Sequence, residues 1–347
     1  MTMTIKIGLI GCGRISKNHF ETLKNLGDAV QLTAVCDIVE ERASNAAQAF
    51  GVPFYKDYRE MLDKVPMDLV SICTPSGLHP AMGIEAAKRG IHVLSEKPMA
   101  VRLEDAEALI RTCDHHGVHL FVVKQNRLNP GVAGLKKAVD EGRFGKIYFL
   151  NTTVFWTRPQ DYYDMAPWRG TWEFDGGCFM NQASHYVDLI QWIGGPVESV
   201  MGQTATLARK IEAEDTGAAL LRFRSGAMGV IQVTMLTYPN NLEGSLTVIG
   251  EKGTVRIGGM ALNNVEKWEF ADSQPEDKAI CESNYTPPNV YGFGHLQYYK
   301  NVLQVLNGEA APSTDGRSGK KSLELILAIY QSNMENRMIS LPLNYPR

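Results

Sequence analysis

No apolar run in this 347-residue chain approaches the roughly 18 residues that cross a bilayer, and no basic stretch at its start leads into an apolar one. These absences predict neither a membrane protein nor an exported one. Basic charge is not in excess either: 35 lysines and arginines stand against 38 acidic residues, a formal net charge of -3, which leaves no broad positive field for nucleic acid. Paired cysteine motifs are missing. Cys12, Cys36, Cys73, Cys113, Cys178 and Cys281 are scattered, several within apolar stretches, as reduced thiols of a cytoplasmic protein would be. The cluster His115, His116 and His119 has no carboxylate or cysteine ligands spaced around it, so no metal site is expected.

What is present is enough chain for two hydrophobic cores, expected at 1–124 and 125–347. In the first part, short apolar runs at 5–10, 31–37, 68–74, 92–96 and 119–123 alternate with helix-period segments near 16–26, 39–50, 78–89 and 103–116. Continuously apolar strands separated by amphipathic helices predict a parallel sheet covered on both faces, a doubly wound α/β domain of the Rossmann type. The second part has one helix near 131–141, then β-rich stretches at 146–156, 197–206, 217–224, 226–236, 244–250 and 253–259. These predict an α+β domain built on an open, mostly antiparallel sheet. A last helix at 321–337, capped by Ser318 and Gly319, and a short strand at 339–343 close the chain.

The stretch IKIGLIGCGRIS, residues 5–16, places Gly11, Gly13 and Ser16 on a G-x-G-x-x-G pattern after an apolar strand and before a helix. The first glycine permits the tight turn, the second lets a pyrophosphate approach the backbone, and a small third residue packs helix on strand. Asp37 ends the second strand, 24 residues after Gly13, where a carboxylate accepts the ribose hydroxyls of a dinucleotide. Its charge repels a 2'-phosphate and Ile38 beside it is apolar, so NAD is preferred over NADP; Arg42 is the one residue that argues otherwise. The alternative role for Asp37 is a cap on the following helix. Two further strand ends, CTPSGLH (73–79) and SEKPM (95–99), should meet the same cofactor, and Lys97 stands in the second between a glutamate and a proline.

With GCGRIS, TPSGLHP and SEKP in this order, the sequence resembles the Gfo/Idh/MocA family of NAD(P)-dependent sugar dehydrogenases. The resemblance implies that Lys97 reaches the nicotinamide and the reacting hydroxyl. It also implies an active-site histidine at His185 in GGCFMNQASHYVDL, where Asn181, His185 and Asp188 are expected on one helix face. The position four residues before the histidine is usually aspartate in the family; here it is Asn181, which orients an imidazole but cannot stabilise its cation. A nicotinamide cation about 5 Å away, at an effective dielectric near 20, disfavours the Lys97 ammonium by about 3 kcal/mol. Lys97 is therefore the preferred base and His185 its partner, with the reverse assignment left open.

The stretch 151–177 interleaves Arg158 and Arg169 with Trp156, Tyr162, Tyr163 and Trp168, which suggests an anionic substrate carrying a planar group. With KQNRLNP, EDTGAALLRFRSG, TMLTYPNNLEGS and VYGFGH, it resembles one branch of the family, the UDP-N-acetylglucosaminuronate 3-dehydrogenases of the WbpB/WlbA type. That resemblance implies oxidation of C3 of a UDP-linked uronic acid for bacterial lipopolysaccharide O-antigen or capsule, 2-oxoglutarate as a terminal hydride acceptor, and a homotetramer paired through the second sheet around residues 247–259. Implied cofactor contacts are Gly11, Gly13, Arg14, Ile15, Asp37, Ile38 and Arg42, then Thr74, Pro75, His79, Glu96 and Lys97, then Gln125, Trp168 and Arg169. Implied substrate contacts are Lys97, Lys124, Arg127, Arg158, Tyr163, Asn181 and His185. The competing expectations are an inositol or other free-sugar dehydrogenase of the same family and a nonenzymatic NAD-binding sensor.

Overall fold

A computed structural model describes residues 4–287 and 294–343; residues 290–293 of the VYGFGH motif fall outside it. The chain divides into two compact units, Met1–Lys124 with His295–Lys320, and Gln125–Gly294 with Lys321–Arg347. The stretch expected as one domain at 125–347 is thus interrupted. Its segment His295–Lys320 joins the first unit because Tyr298 and Tyr299 are buried there, the Tyr298 hydroxyl donating to the Val122 carbonyl at 2.6 Å and Asp315 bridging to Phe121.

In the first unit, β1 (Ile5–Ile10), β2 (Val30–Cys36), β3 (Phe54–Tyr55), β4 (Leu69–Ile72), β5 (His92–Ser95) and β6 (Leu120–Val122) form a parallel sheet in the order β3-β2-β1-β4-β5-β6. The connections carry α1 (Ser16–Leu26), α2 (Glu40–Phe50), α3 (Tyr58–Lys64), α4 (His79–Ala87) and α5 (Leu103–His115). Strand residues such as Ile7, Leu9, Val35, Leu69, Val70 and Val93 are fully buried, as expected where helices cover both faces. The strand order reverses between β1 and β4, and in such sheets ligands bind beyond the carboxyl ends of the strands at that point.

The second unit holds α6 (Pro130–Asp140), β7 (Ile147–Phe155), α7 (Gln160–Asp164), α8 (Ser184–Gly194), β8 (Val197–Ala205), β9 (Thr216–Phe223), β10 (Met228–Thr234), β11 (Glu243–Gly250), β12 (Gly253–Gly258), β13 (Asn264–Phe270) and α9 (Pro275–Cys281). The chain then forms α10 (Gly294–Leu306), α11 (Gly316–Glu335) and β14 (Ile339–Ser340). Its sheet runs β13-β12-β11-β7-β10-β9-β8-β14, antiparallel except where β10 lies parallel to β7. One face packs on α8 through Leu150, Val154, Leu189 and Ile190, all buried. The other face leaves Leu220, Met228 and Ile249 exposed. The last helix starts earlier than expected: the Asp315 carboxylate accepts the Ser318 N–H at 2.7 Å, so Ser318 and Gly319 lie inside the first turn of α11 rather than before it.

Candidate active site

Gly11 has φ of +94°, and a Cβ there would come within 2.7 Å of the Cys73 carbonyl carbon. Only glycine fits this turn. A Cβ on Gly13 would meet nothing within 4 Å, so its backbone stays open to an approaching group. Ser16 is buried and its hydroxyl donates to the Gly13 carbonyl at 2.7 Å, the compact third position that the pattern asks for. Helix α1 begins with no side-chain cap and no acidic residue in its first turn, which leaves its amide donors and positive end for an anion. Burial, then the Asp37 carboxylate, push the Cys12 thiol up to about 12, so it remains protonated.

Asp37 is buried; its Oδ2 accepts the Cys12 N–H and its Oδ1 the Val39 N–H, both at 2.8 Å. Since Val39 itself is the N-cap of α2, Asp37 braces the glycine turn and does not cap the helix. Ile38, 83% exposed, and the exposed Arg42 and Arg14 flank this end of the sheet, while Ile15 packs its side chain on the core of Leu9, Val35 and Ala47. The turn fits the pyrophosphate and ribose of a dinucleotide.

At the next strand ends, Thr74 and Pro75 are half-buried. His79, expected to touch cofactor, is 1% exposed, and its two ring nitrogens stand 2.8 Å from the carbonyls of Thr74 and Pro98. It ties the two loops together rather than facing a ligand. Burial holds its pKa below the ordinary histidine value against the pull of those carbonyls. Glu96 is likewise buried and faces inward. Its Oε1 lies 3.0 Å from His19 Nε2 and 3.5 Å from His295 Nε2, while its Oε2 accepts the Lys97 N–H at 3.0 Å. Lys97 itself is half-buried.

The second unit builds its polar centre around α8. The ring of His185 is buried, with Gln125 Nε2 3.3 Å from its Nε2. Asn181 does not share the helix face with His185 and Asp188, as the spacing predicts, because α8 starts at Ser184. It lies in the preceding turn, its amide donating to the buried carboxylate of Asp175. Asp188 binds Arg127 through two hydrogen bonds of 2.7 Å, with both groups buried and the guanidinium 4.9 Å from the Trp192 ring. Arg127, expected to hold substrate, is therefore spent on anchoring the helix that carries His185. Tyr163, 5% exposed, is a core residue at Gly170.

Arg169 lies 4.3 Å from the Tyr162 ring and 4.6 Å from the Trp168 ring, with its buried Nε unbonded among the described residues. Arg158 stacks 5.2 Å from Trp156 and donates to the Thr157 carbonyl at 2.6 Å. Lys124 is buried. Behind the 177–179 loop stands Glu214, which sequence reasoning missed. Its Oε1 accepts the Phe179 N–H at 3.0 Å and the Tyr330 hydroxyl at 2.9 Å, and a Cβ on Gly177 would run into its carboxylate. His19, His295 and Asp175 were also missed. The buried stripe Ser16, His19 and Thr22 on α1, polar where a helix should turn apolar residues inward, was the available signal for the first.

Two family models match the chain: the oxidoreductase family NAD-binding Rossmann fold over residues 5–124, and the GFO/IDH/MocA C-terminal domain over residues 132–256. The WlbA dehydrogenase from Bordetella pertussis, solved in complex with NADH and UDP-GlcNAcA, is 55% identical, with a TM-score of 0.96 covering 98% of this chain and 99% of that one. The WlbA dehydrogenase from Chromobacterium violaceum, solved with the same two ligands, is 52% identical, with a TM-score of 0.94 covering 99% of this chain and 97% of that one. The myo-inositol 2-dehydrogenase of Thermotoga maritima is 29% identical over 97% of this chain and 98% of its own. Fold, glycine cradle and relatives agree: the chain belongs to the GFO/IDH/MocA oxidoreductase family.

Proposed function

We propose that this protein oxidises the C3 hydroxyl of UDP-GlcNAcA to the 3-keto sugar, with NAD as the oxidant, in the synthesis of diacetamido-uronic acids for lipopolysaccharide O-antigen or capsule. The observation that carries this reading is 55% identity across nearly the whole chain to a dehydrogenase solved with NADH and that sugar nucleotide. The bound nicotinamide supplies the hydride acceptor. Gly11, Gly13 and Asp37 hold the dinucleotide by its pyrophosphate and ribose. Lys97 takes the hydroxyl proton as the C3 hydride leaves, and His185, its ring set by Gln125, is the partner that orients the hydroxyl and passes the proton on. Arg169, pinned between Tyr162 and Trp168 with donor capacity left over, binds an anionic group of the substrate or cofactor, and Arg158 serves beside it.

The further parts of the reading are a homotetramer, 2-oxoglutarate as the final hydride acceptor, and a cytoplasmic location. The exposed Leu220, Met228 and Ile249 on the open sheet face support subunit pairing there, and six unpaired cysteines support a reducing compartment. Initial rates of NADH formation with UDP-GlcNAcA and with myo-inositol test the function. The reading expects turnover of the sugar nucleotide only; turnover of myo-inositol alone would replace it with the inositol-type reading suggested by the 29% identical relative.

A further inference from the structure

We propose that His19, His295 and Tyr299 are positioning residues for Lys97, acting through the carboxylate of Glu96. This inference rests on the reading of Lys97 as the proton acceptor. The residues come from distant parts of the chain: His19 from α1, Glu96 from the loop after β5, and His295 and Tyr299 from α10. All are buried, the histidines and Glu96 at 4% exposure or less.

The cluster closes through complementary hydrogen bonds. Glu96 Oε1 faces Nε2 of both histidines at 3.0 and 3.5 Å, so each ring carries a proton on Nε2 and donates it to the carboxylate. His19 Nδ1 is then an acceptor, and it finds the Tyr299 hydroxyl at 2.8 Å and the Ser71 hydroxyl at 3.1 Å. Tyr299 also lies 3.3 Å from Ser71, so one proton on each hydroxyl satisfies the three groups. The remaining carboxylate oxygen, Oε2, accepts the backbone N–H of Lys97. Burial opposes ionisation of Glu96, but the two histidine bonds outweigh it and hold its pKa well below the usual carboxylate range; burial in turn keeps His19 below the usual histidine value. The result is one anion with two imidazole rings against its Oε1. On the other side of Lys97, His79 holds the Pro98 carbonyl.

This arrangement does two things for a proton-accepting lysine. It fixes the backbone on which Lys97 swings, and it places a permanent negative charge one residue away. That charge favours the ammonium and so offsets the nicotinamide cation that disfavours it. Among the described residues, the ionisable groups facing the Glu96–Lys97 turn are His19 from α1, Cys73 after β4, His79 from α4, and His295 and Tyr299 from α10.

The nitrogen and oxygen atoms of His19, Glu96 and His295 also lie within 4.8 Å of one another, as a metal ligand set would, although hydrogen bonds alone account for each of them. The test must separate the two. It compares the pH profile of kcat for wild type, His19→Leu and His295→Leu with the donor-retaining His19→Gln and His295→Gln, alongside metal analysis of the wild-type protein. Because the base must be neutral, kcat rises with pH through the lysine pKa. Loss of a histidine lets Glu96 protonate, so the acid limb is expected to move down by about one pH unit. Plateau kcat is expected to fall by about tenfold, with KM for the sugar nucleotide held. The glutamine variants should recover the wild-type limb.

Should the leucine variants fail to fold, Tyr299→Phe removes one oxygen from the network and should move the limb the same way by less. An unmoved limb in the folded variants overturns the proposal. So does one equivalent of metal in the wild type that His295→Leu loses. Full activity in Lys97→Ala would overturn the underlying reading instead, and that result is distinct from either.

Discussion

Each unit buries a glutamate, and the two are treated in opposite ways. Glu96 in the first unit receives donors on both oxygens, from His19 and His295 on one and the Lys97 amide on the other, and stays ionised. Glu214 in the second receives the Phe179 amide and the Tyr330 hydroxyl on Oε1, while its Oε2 has no hydrogen-bond partner among the described residues. Burial therefore dominates and pushes its pKa up to about 7. The same side chain serves as a fixed charge where donors surround both oxygens and as a brace that titrates near neutral pH where they do not. The fixed charge stands next to the proposed base. The titrating carboxyl stands behind the loop that leads into His185.

The second unit does bury an ion pair, and its disruption carries the largest expected effect. Arg127→Ala leaves Asp188 as an uncompensated buried charge, and chemical denaturation should show a loss of about 3–5 kcal/mol. Replacing both partners together, Arg127→Leu with Asp188→Leu, should recover most of it. Equal losses in the single and double variants would mean that packing against Trp192, rather than charge, is what the pair supplies.

The Glu214 effect comes next in size. Its folded pKa is raised, so the stability it contributes is full below the unfolded value of 4.5 and is lost as pH rises through about 7, a span of roughly 3 kcal/mol. Glu214→Gln should flatten the fall in Tm across that window. A wild-type Tm that rises between pH 5 and 8 to the same extent as the variant's would show that Glu214 is ionised in the fold.

The smallest expected change returns to the first unit. Asp37→Ala removes the ribose acceptor and the brace on the Cys12 amide, and should weaken NAD by about tenfold while narrowing its preference over NADP. Fluorescence titration with both cofactors reads this. An unchanged ratio would leave Asp37 only its bracing role.

These sites were unequally legible in the sequence. Short apolar strands and the glycine turn announced the parallel sheet, because strands buried on both faces and a φ of +94° at Gly11 leave little choice of residue. β13 was not visible because Glu266, Lys267 and Glu269 interrupt its few apolar residues, Val265, Trp268 and Phe270, and β3 is two residues long. Asn181 was misplaced because an i, i+4 spacing cannot tell a helix from a helix preceded by a turn. Arg127 read as a ligand-binding cation because its partner Asp188 lies 61 residues away and only the fold brings them together. The network around Glu96 was invisible for the same reason, with His19 and His295 at opposite ends of the chain. The family's motifs carried the rest: they marked Lys97 and His185, for which local physics alone offered a surface ion pair and a packed histidine.

The proposed function turns on hydride transfer from C3 of a UDP-linked uronic acid to NAD. UDP-GlcNAcA carrying deuterium at C3 tests it directly, through mass spectrometry of the nicotinamide product and the rate relative to unlabelled substrate. Singly deuterated NADH and a 3-keto sugar are expected, with no such product from Lys97→Ala beyond roughly one hundredth of the wild-type rate. NADH formed without deuterium, or a keto group at another carbon, would contradict it.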